Sequence, residues 1–166
     1  SEDPQSGQGF GQRLSLYAGN ELRCPIASWW LQPAIESITV TNPDYQEIVA
    51  EICHRYGIGR VMVSSLIGHS LDALQSGLPT LHILHDHFPV WPLLSIHPEP
   101  YLQKDATARL AKALQENNNS EFKDKSAQHW ADIRQAYLQA LKSFKVKTVA
   151  PGQSVLDLQN ALEPEF

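Results

Sequence analysis

The feature that most restricts the fold of this chain is the run PTLHILHDHFPVWP at residues 79–92. Its first half, Pro79 to Leu84, is short, almost continuously apolar and preceded by the breaker Gly77, which reads as a strand buried on both faces. Strands of that kind belong to parallel sheets packed between helices, so an α/β fold class follows. The second half turns polar at once, and the strand thereby delivers His85, Asp86 and His87 to the mouth of a ligand cleft.

Neighbouring segments supply the rest of such a sheet. SITVT from Ser37 is a β-branched run, and Asn42 followed by Pro43 supplies an N-cap and a first-turn proline. Tyr45, Ile48, Val49, Ile52, Cys53 and Tyr56 then recur at helical spacing, with Gly57 placed for a left-handed C-cap. Arg60–Ser64 reads as a second strand, Leu71–Ser76 as a short helix ended by Gly77, and the two strands flanking a helix as a βαβ unit. Further on the pattern predicts a helix over Asp105–Glu116 and a polar break NNNS. A long helix follows with Trp130, Ile133, Tyr137, Leu141 and Phe144 on one face, then a strand at Val146–Ala150. Ser154 and Asp157 read as a capping box opening a last helix. Residues 1–13, rich in Gly, Gln and Ser, are expected to be a flexible lead-in to a single domain over 14–166. Within it, Leu14–Ala18 is a short strand candidate, and the stretch through Trp29, Trp30 and Pro33 has no clean period.

A length of 166 residues suits one domain with one sheet and one core. The 13 Lys and Arg against 18 Asp and Glu are dispersed, which removes the electrostatic footprint of a nucleic-acid binder. Cys24 and Cys53 fit neither a disulfide scaffold nor a cysteine zinc site, so a reducing, cytoplasmic setting is expected. No apolar run approaches the roughly 18 residues of a membrane span, and SEDPQSGQGFGQ does not read as an export signal. The opening on Ser1 rather than Met suggests a processed product or an excised piece.

In a parallel sheet the residues just after each strand face the ligand. Here these are Ser64, Ser65, Gly68, His69 and Ser70, then His85–His87, then Pro151 and Gly152. A His-Asp pair at a strand end suits acid-base work or hydrogen bonding to a sugar hydroxyl, although the same pair also satisfies backbone groups where a strand stops. A metal set of His82, His85, Asp86 and His87 is disfavoured, because alternation turns His82 to the opposite face. GHSLD at residues 68–72 resembles a nucleophile elbow with Ser70 as nucleophile, and Asp86 and His129 follow in the required order. The elbow needs a small residue where Asp72 stands. Phe88–Pro92 reads as a hydrophobic plug, with Trp91 offering a flat face to a sugar ring as the alternative. His54, His97 and Trp29 read as structural or surface residues.

Taken together, YGIGRVMVSSLIGHSLDALQSGLPTLHILHDHFPVWP resembles the N-terminal half-domain of GT-B glycosyltransferases of the family-4 kind, and KVKTVAPGQSVLDL is similar to the strand, turn and helix near the end of that domain. The resemblance covers most of residues 38–162 and implies a Rossmann-like parallel sheet flanked by helices, one half of a GT-B architecture. It implies a parent enzyme that transfers a sugar from a nucleotide donor to a surface glycan or lipid-linked acceptor at the inner face of a membrane. That enzyme would need no metal and no other cofactor. By the same resemblance His85 and Asp86 are the catalytic residues, and Ser65, Gly68, His69 and His87 contact substrate. Two departures stand out: Gly152 replaces the usual Ser, and neither the family's Gly-rich opening strand nor its donor-binding second domain is recognisable. This chain alone is therefore expected to be inactive, the nucleotide sugar being held by the other domain.

Overall fold

The structure, a computed structural model, describes residues 11–19, 23–102, 105–117, 122, 124–143 and 145–164. It is an α/β fold with parallel sheets flanked by helices, compatible with a Rossmann-like arrangement. Three strands form its centre: β4 (Val61–Val63), β6 (Thr80–Ile83) and β7 (Val146–Val149), all parallel, in the order β4-β6-β7. The apolar run at 79–84 is thus the middle strand. Its Thr80 pairs with both Val61 and Val146, and its His82 with both Val63 and Thr148.

Two smaller pairs lie beside this sheet. β1 (Gln12–Leu16) and β2 (Ala27–Leu31) are antiparallel, while β3 (Ile38–Thr39) runs parallel to β5 (His69–Ser70). The expected βαβ unit of Arg60–Ser64, Leu71–Ser76 and Pro79–Leu84 closes as β4 and β6, adjacent and parallel, with the helix between them reduced to a 3₁₀ turn, while β3 takes β5 as its partner instead of joining this sheet. Among the described residues one sheet becomes three, and one core becomes two clusters. The larger joins Val63, Leu66, Phe88, Val90, Trp91, Leu110, Trp130, Ile133 and Tyr137; the smaller joins Leu31, Ile35, Tyr45 and Ile48.

The helices start where their caps dictate. In α1 (Pro43–Arg55) the Asn42 side chain accepts from Tyr45 N at 2.9 Å, and Gly57 beyond the C-terminus has φ +62°. Asp105 caps α2 (Ala106–Glu116) through the Thr107 and Ala108 amides, and Ser126 caps α3 (Ala127–Leu141) through His129 N. α3 buries Trp130, Ile133 and Tyr137; side chains of that size contribute roughly 1.5–3 kcal/mol each on burial. Phe144, assigned to the same face, lies outside the described residues.

Several expectations need correction. The segment after Ser70 is a single 3₁₀ turn, Leu71–Leu74, because Asp72 is engaged in anchoring α1. No capping box opens α4 (Gln153–Leu162): its N-cap is Gly152 with no side-chain bond, Ser154 sits inside the first turn, and Asp157 accepts from Gln153. β1 begins at Gln12, so the lead-in does not reach residue 13, and residues 1–10 lie outside the described residues. The unassigned tryptophan stretch is strand β2. Finally, the central sheet is covered on one face only. Val63, Thr80, His82 and Val146 are buried on the α3 side, whereas Met62, Leu81 and Val149 on the other are 67%, 37% and 46% exposed. Among the described residues no helix is long and apolar enough to cross a membrane.

Candidate functional site

Parallel register sets the carboxyl ends of β4, β6 and β7 side by side, and the residues that leave them form one polar edge. Ser64 and Ser65 follow β4, and both are exposed. After β6, Leu84 still donates its amide to Val149 O at 2.9 Å, and the chain then leaves the sheet at the exposed His85. After β7 come Pro151 and Gly152, both exposed, and the start of α4.

Each predicted residue has a specific place on this edge. Asp86 folds back on its own turn, its Oδ1 accepting from Phe88 N at 2.9 Å, so its first role is to fix the bend that carries His85 outward. The bend continues as the His87 carbonyl accepts from the amides of Val90 and Trp91 at 2.9 and 2.6 Å. Phe88 is thereby driven into the core, with its ring edge-on to Trp130 at 5.5 Å and to Phe122 at 5.2 Å. Trp91 is 4% exposed and donates its indole N–H to Ile96 O at 2.7 Å, which leaves no free face for a sugar ring. The plug reading of Phe88–Pro92 is the one the packing supports.

His87 points away from His85 and toward α4, where Nδ1 lies 2.9 Å from Gln159 Oε1 and, facing a carbonyl, carries the proton. It lines a groove of about 500 Å³ with His97, Glu99, Ser154 and Asp157. Ser65 and His69 occur together elsewhere, in a groove of about 470 Å³ between α1 and β4 that Tyr45, Arg60 and Ser64 also line. There the Tyr45 hydroxyl lies 3.1 Å from His69 Nδ1. Burial lowers the His69 pKa and raises that of Tyr45 to about 12, with the Asp72 charge adding to the latter. Gly68 shapes the loop between them: its φ is +74°, and its carbonyl accepts from Gln12 Nε2 at 2.7 Å. The six residues therefore divide into three places, with Ser65, Gly68 and His69 beside α1, His85 and Asp86 at the middle strand, and His87 against α4.

Ser70 is committed to structure. It is fully buried, donates to Asp72 Oδ2 at 2.6 Å and accepts from Asp72 N at 3.2 Å. His129 lies edge-on to Trp130 on α3, and no hydrogen bond joins Ser70, Asp86 and His129. His82 faces the core as alternation predicts, its Nδ1 3.1 Å from Val63 O and its Nε2 3.0 Å from the Tyr137 hydroxyl. Among the described residues no three His, Cys, Asp or Glu side chains gather as a metal cluster.

Sequence reasoning missed two polar anchors. Asp72 accepts from Thr41 Oγ1, Asn42 N, Gln46 Nε2 and Ser70 Oγ, and so ties the start of α1 to the end of β5. Its position two residues after Ser70 was the available signal, since Ser-x-Asp at a turn is a local capping pattern. Gln159 sits 1% exposed under His87, 72 residues away in sequence, and nothing local announces it. Compared with protein-family models, with curated proteins and with solved structures, the chain gives no match.

Proposed function

We propose that this chain is the acceptor-side domain of a nucleotide-sugar-dependent glycosyltransferase that builds a surface polysaccharide or a glycolipid. The observation that carries the reading is the polar edge of the central sheet. Exposed His85 leaves the middle strand between Ser64–Ser65 on one side and the uncapped start of α4 on the other, with Asp86 holding its turn.

In this reading the His85 imidazole offers one donor and one acceptor to a sugar hydroxyl, and the serine hydroxyls add neutral hydrogen bonds. Such groups recognise a hydroxylated acceptor better than a diphosphate, which calls for a cationic cradle, and none of the residues on this edge is Lys or Arg. The nucleotide part of the donor would be held by a second domain, and the parent would work in the cytoplasm at the inner face of a membrane.

Isothermal calorimetry of the chain with n-octyl glucoside below its micelle concentration, and separately with UDP-glucose, tests the reading. The expected result is weak glycoside binding, with Kd on the order of 1 mM, that is lost in His85→Ala, and still weaker UDP-glucose binding. Micromolar binding of UDP-glucose by this chain, or glycoside binding indifferent to His85→Ala, would contradict it.

A further inference from the structure

We infer that the free edge of β4 is the seat of one further parallel strand, an extended polypeptide segment from a partner, apolar at alternate positions and carrying a carboxylate at its amino-terminal end. The proposal does not depend on the glycosyl-transfer reading.

The groove beside α1 is lined by Arg60, Val61, Met62, Val63, Ser64 and Ser65 in unbroken succession. Side chains of a strand alternate between faces, so consecutive residues share one groove only where the strand presents its backbone edge. The hydrogen bonds agree. Val61 N donates to Pro79 O on the β6 side, and the alternation of backbone groups along a strand then turns the N–H and C=O of Met62 to the other side, into the groove. Among the described residues β4 has no second strand partner.

An exposed edge is ordinarily protected by a lysine, a proline or a bulge. Val61-Met62-Val63 has none of these. The opposite wall is apolar as well, formed by Val49, Ile52 and Cys53 of α1. From Arg60 to Ser65 the edge runs roughly 16 Å at about 3.3 Å per residue, the length of a short strand. The bare face of Met62, Leu81 and Val149 begins at the same edge, so a strand seated there would extend a sheet whose second face also awaits cover.

Charge sets the chemistry and direction of the occupant. Arg60 stands at the amino end of β4, lines the groove and makes no ion pair among the described residues. A parallel strand, the direction of every pairing of β4, β6 and β7, brings its own amino end beside Arg60, where an acidic side chain would be matched.

The test uses amide hydrogen exchange on the ¹⁵N-labelled chain with the acetylated, amidated probe peptide DVTVKV. The expected result is exchange roughly tenfold slower at Met62, with Val61 and Val63 unchanged. Met62→Pro removes the outward-facing N–H and with it the reporter amide, so its effect is read on the ¹⁵N-labelled peptide, whose amides should lose the protection that the unsubstituted chain gives them. Arg60→Glu should weaken it about tenfold, and a peptide led by Lys in place of Asp should restore it, which keeps the test independent of whether the proline variant folds. No protection at Met62 in the unsubstituted chain, Met62 protection unchanged in Arg60→Glu, or peptide protection unchanged in Met62→Pro overturns the proposal. So does Met62 protection that appears without peptide and rises with protein concentration, since the occupant would then be a second copy.

Discussion

Tyr137→Phe removes one oxygen from the centre of the molecule, and its cost follows from the geometry. The Tyr137 hydroxyl is 1% exposed at the residue level and bonds to His82 Nε2 at 3.0 Å, while His82 Nδ1 faces the Val63 carbonyl at 3.1 Å. A carbonyl can only accept, so Nδ1 carries the proton and Nε2 must accept from tyrosine. Without the hydroxyl, Nε2 is a buried acceptor with nothing to meet, which costs about 1–3 kcal/mol. Replacing both partners should cost less than the two single changes together: in His82→Leu with Tyr137→Phe the buried acceptor goes together with its donor and only the Val63 carbonyl loses a partner, so a coupling of about 1 kcal/mol or more is expected. Urea unfolding followed by tryptophan fluorescence reads this directly. With a slope of about 2 kcal/mol per M, the single variant should lower the midpoint by roughly 0.5–1.5 M at unchanged slope. A shift within error for Tyr137→Phe, or strict additivity in the cycle, would refute the assignment of His82 as the link between the sheet and α3.

Three further outcomes follow from the same inventory. Burial lowers the pKa of His82, the backbone bond to Val63 opposing it, and burial also lowers that of His69. The unfolded chain therefore binds more protons below the ordinary histidine range near about 6.5, and stability should fall as pH drops through it; a urea midpoint constant from pH 7 to 5 would contradict this. Asp72→Ala strips an acceptor from four donors and should cost about 3 kcal/mol or more, with the α1 amides near Asn42 losing exchange protection first. Glu163→Ala leaves Arg109, 2% exposed, beside Arg134 without a counter-charge and should cost roughly 3–5 kcal/mol in denaturant unfolding, whereas the exposed Arg55–Glu51 pair should matter by less than about 1 kcal/mol.

What could be read from the sequence was what is local. Asn42, Pro43 and Gly57 mark the ends of α1 because caps and positive φ are decided within a few residues. The run Thr80–Leu84 is the middle strand that its short apolar pattern suggests, but it is covered on one face, with Leu81 37% exposed on the other. β2 was hidden because Trp30 is 66% exposed between half-buried Trp29 and buried Leu31, so alternation of burial is not alternation of hydrophobicity. β3 and β5, two residues each, exist only through each other. Strand partners are equally non-local, which is why the pairing of β3 with β5 outside the central sheet and the bare face of Met62, Leu81 and Val149 gave no sign in the sequence.

The site divides along the same line. His85, Asp86, Ser64 and Ser65 follow the ends of β6 and β4 because those ends lie where the apolar runs stop. The orientation of His87 depends on Gln159, and that of His69 on Tyr45, contacts made only once the chain has folded. The six residues are therefore spread over three places, with Ser65 at the exposed end of β4, where the polar edge meets the groove beside α1.

The most direct measurement is a site-resolved one: ¹⁵N chemical-shift mapping of the chain during titration with n-octyl glucoside. Binding at the polar edge predicts shifts at Ser64, Ser65, His85 and Asp86 that vanish in His85→Ala while the rest of the spectrum stays put. Shifts confined to the α4 groove around His97 and Asp157, or none on the strand ends at all, would contradict it.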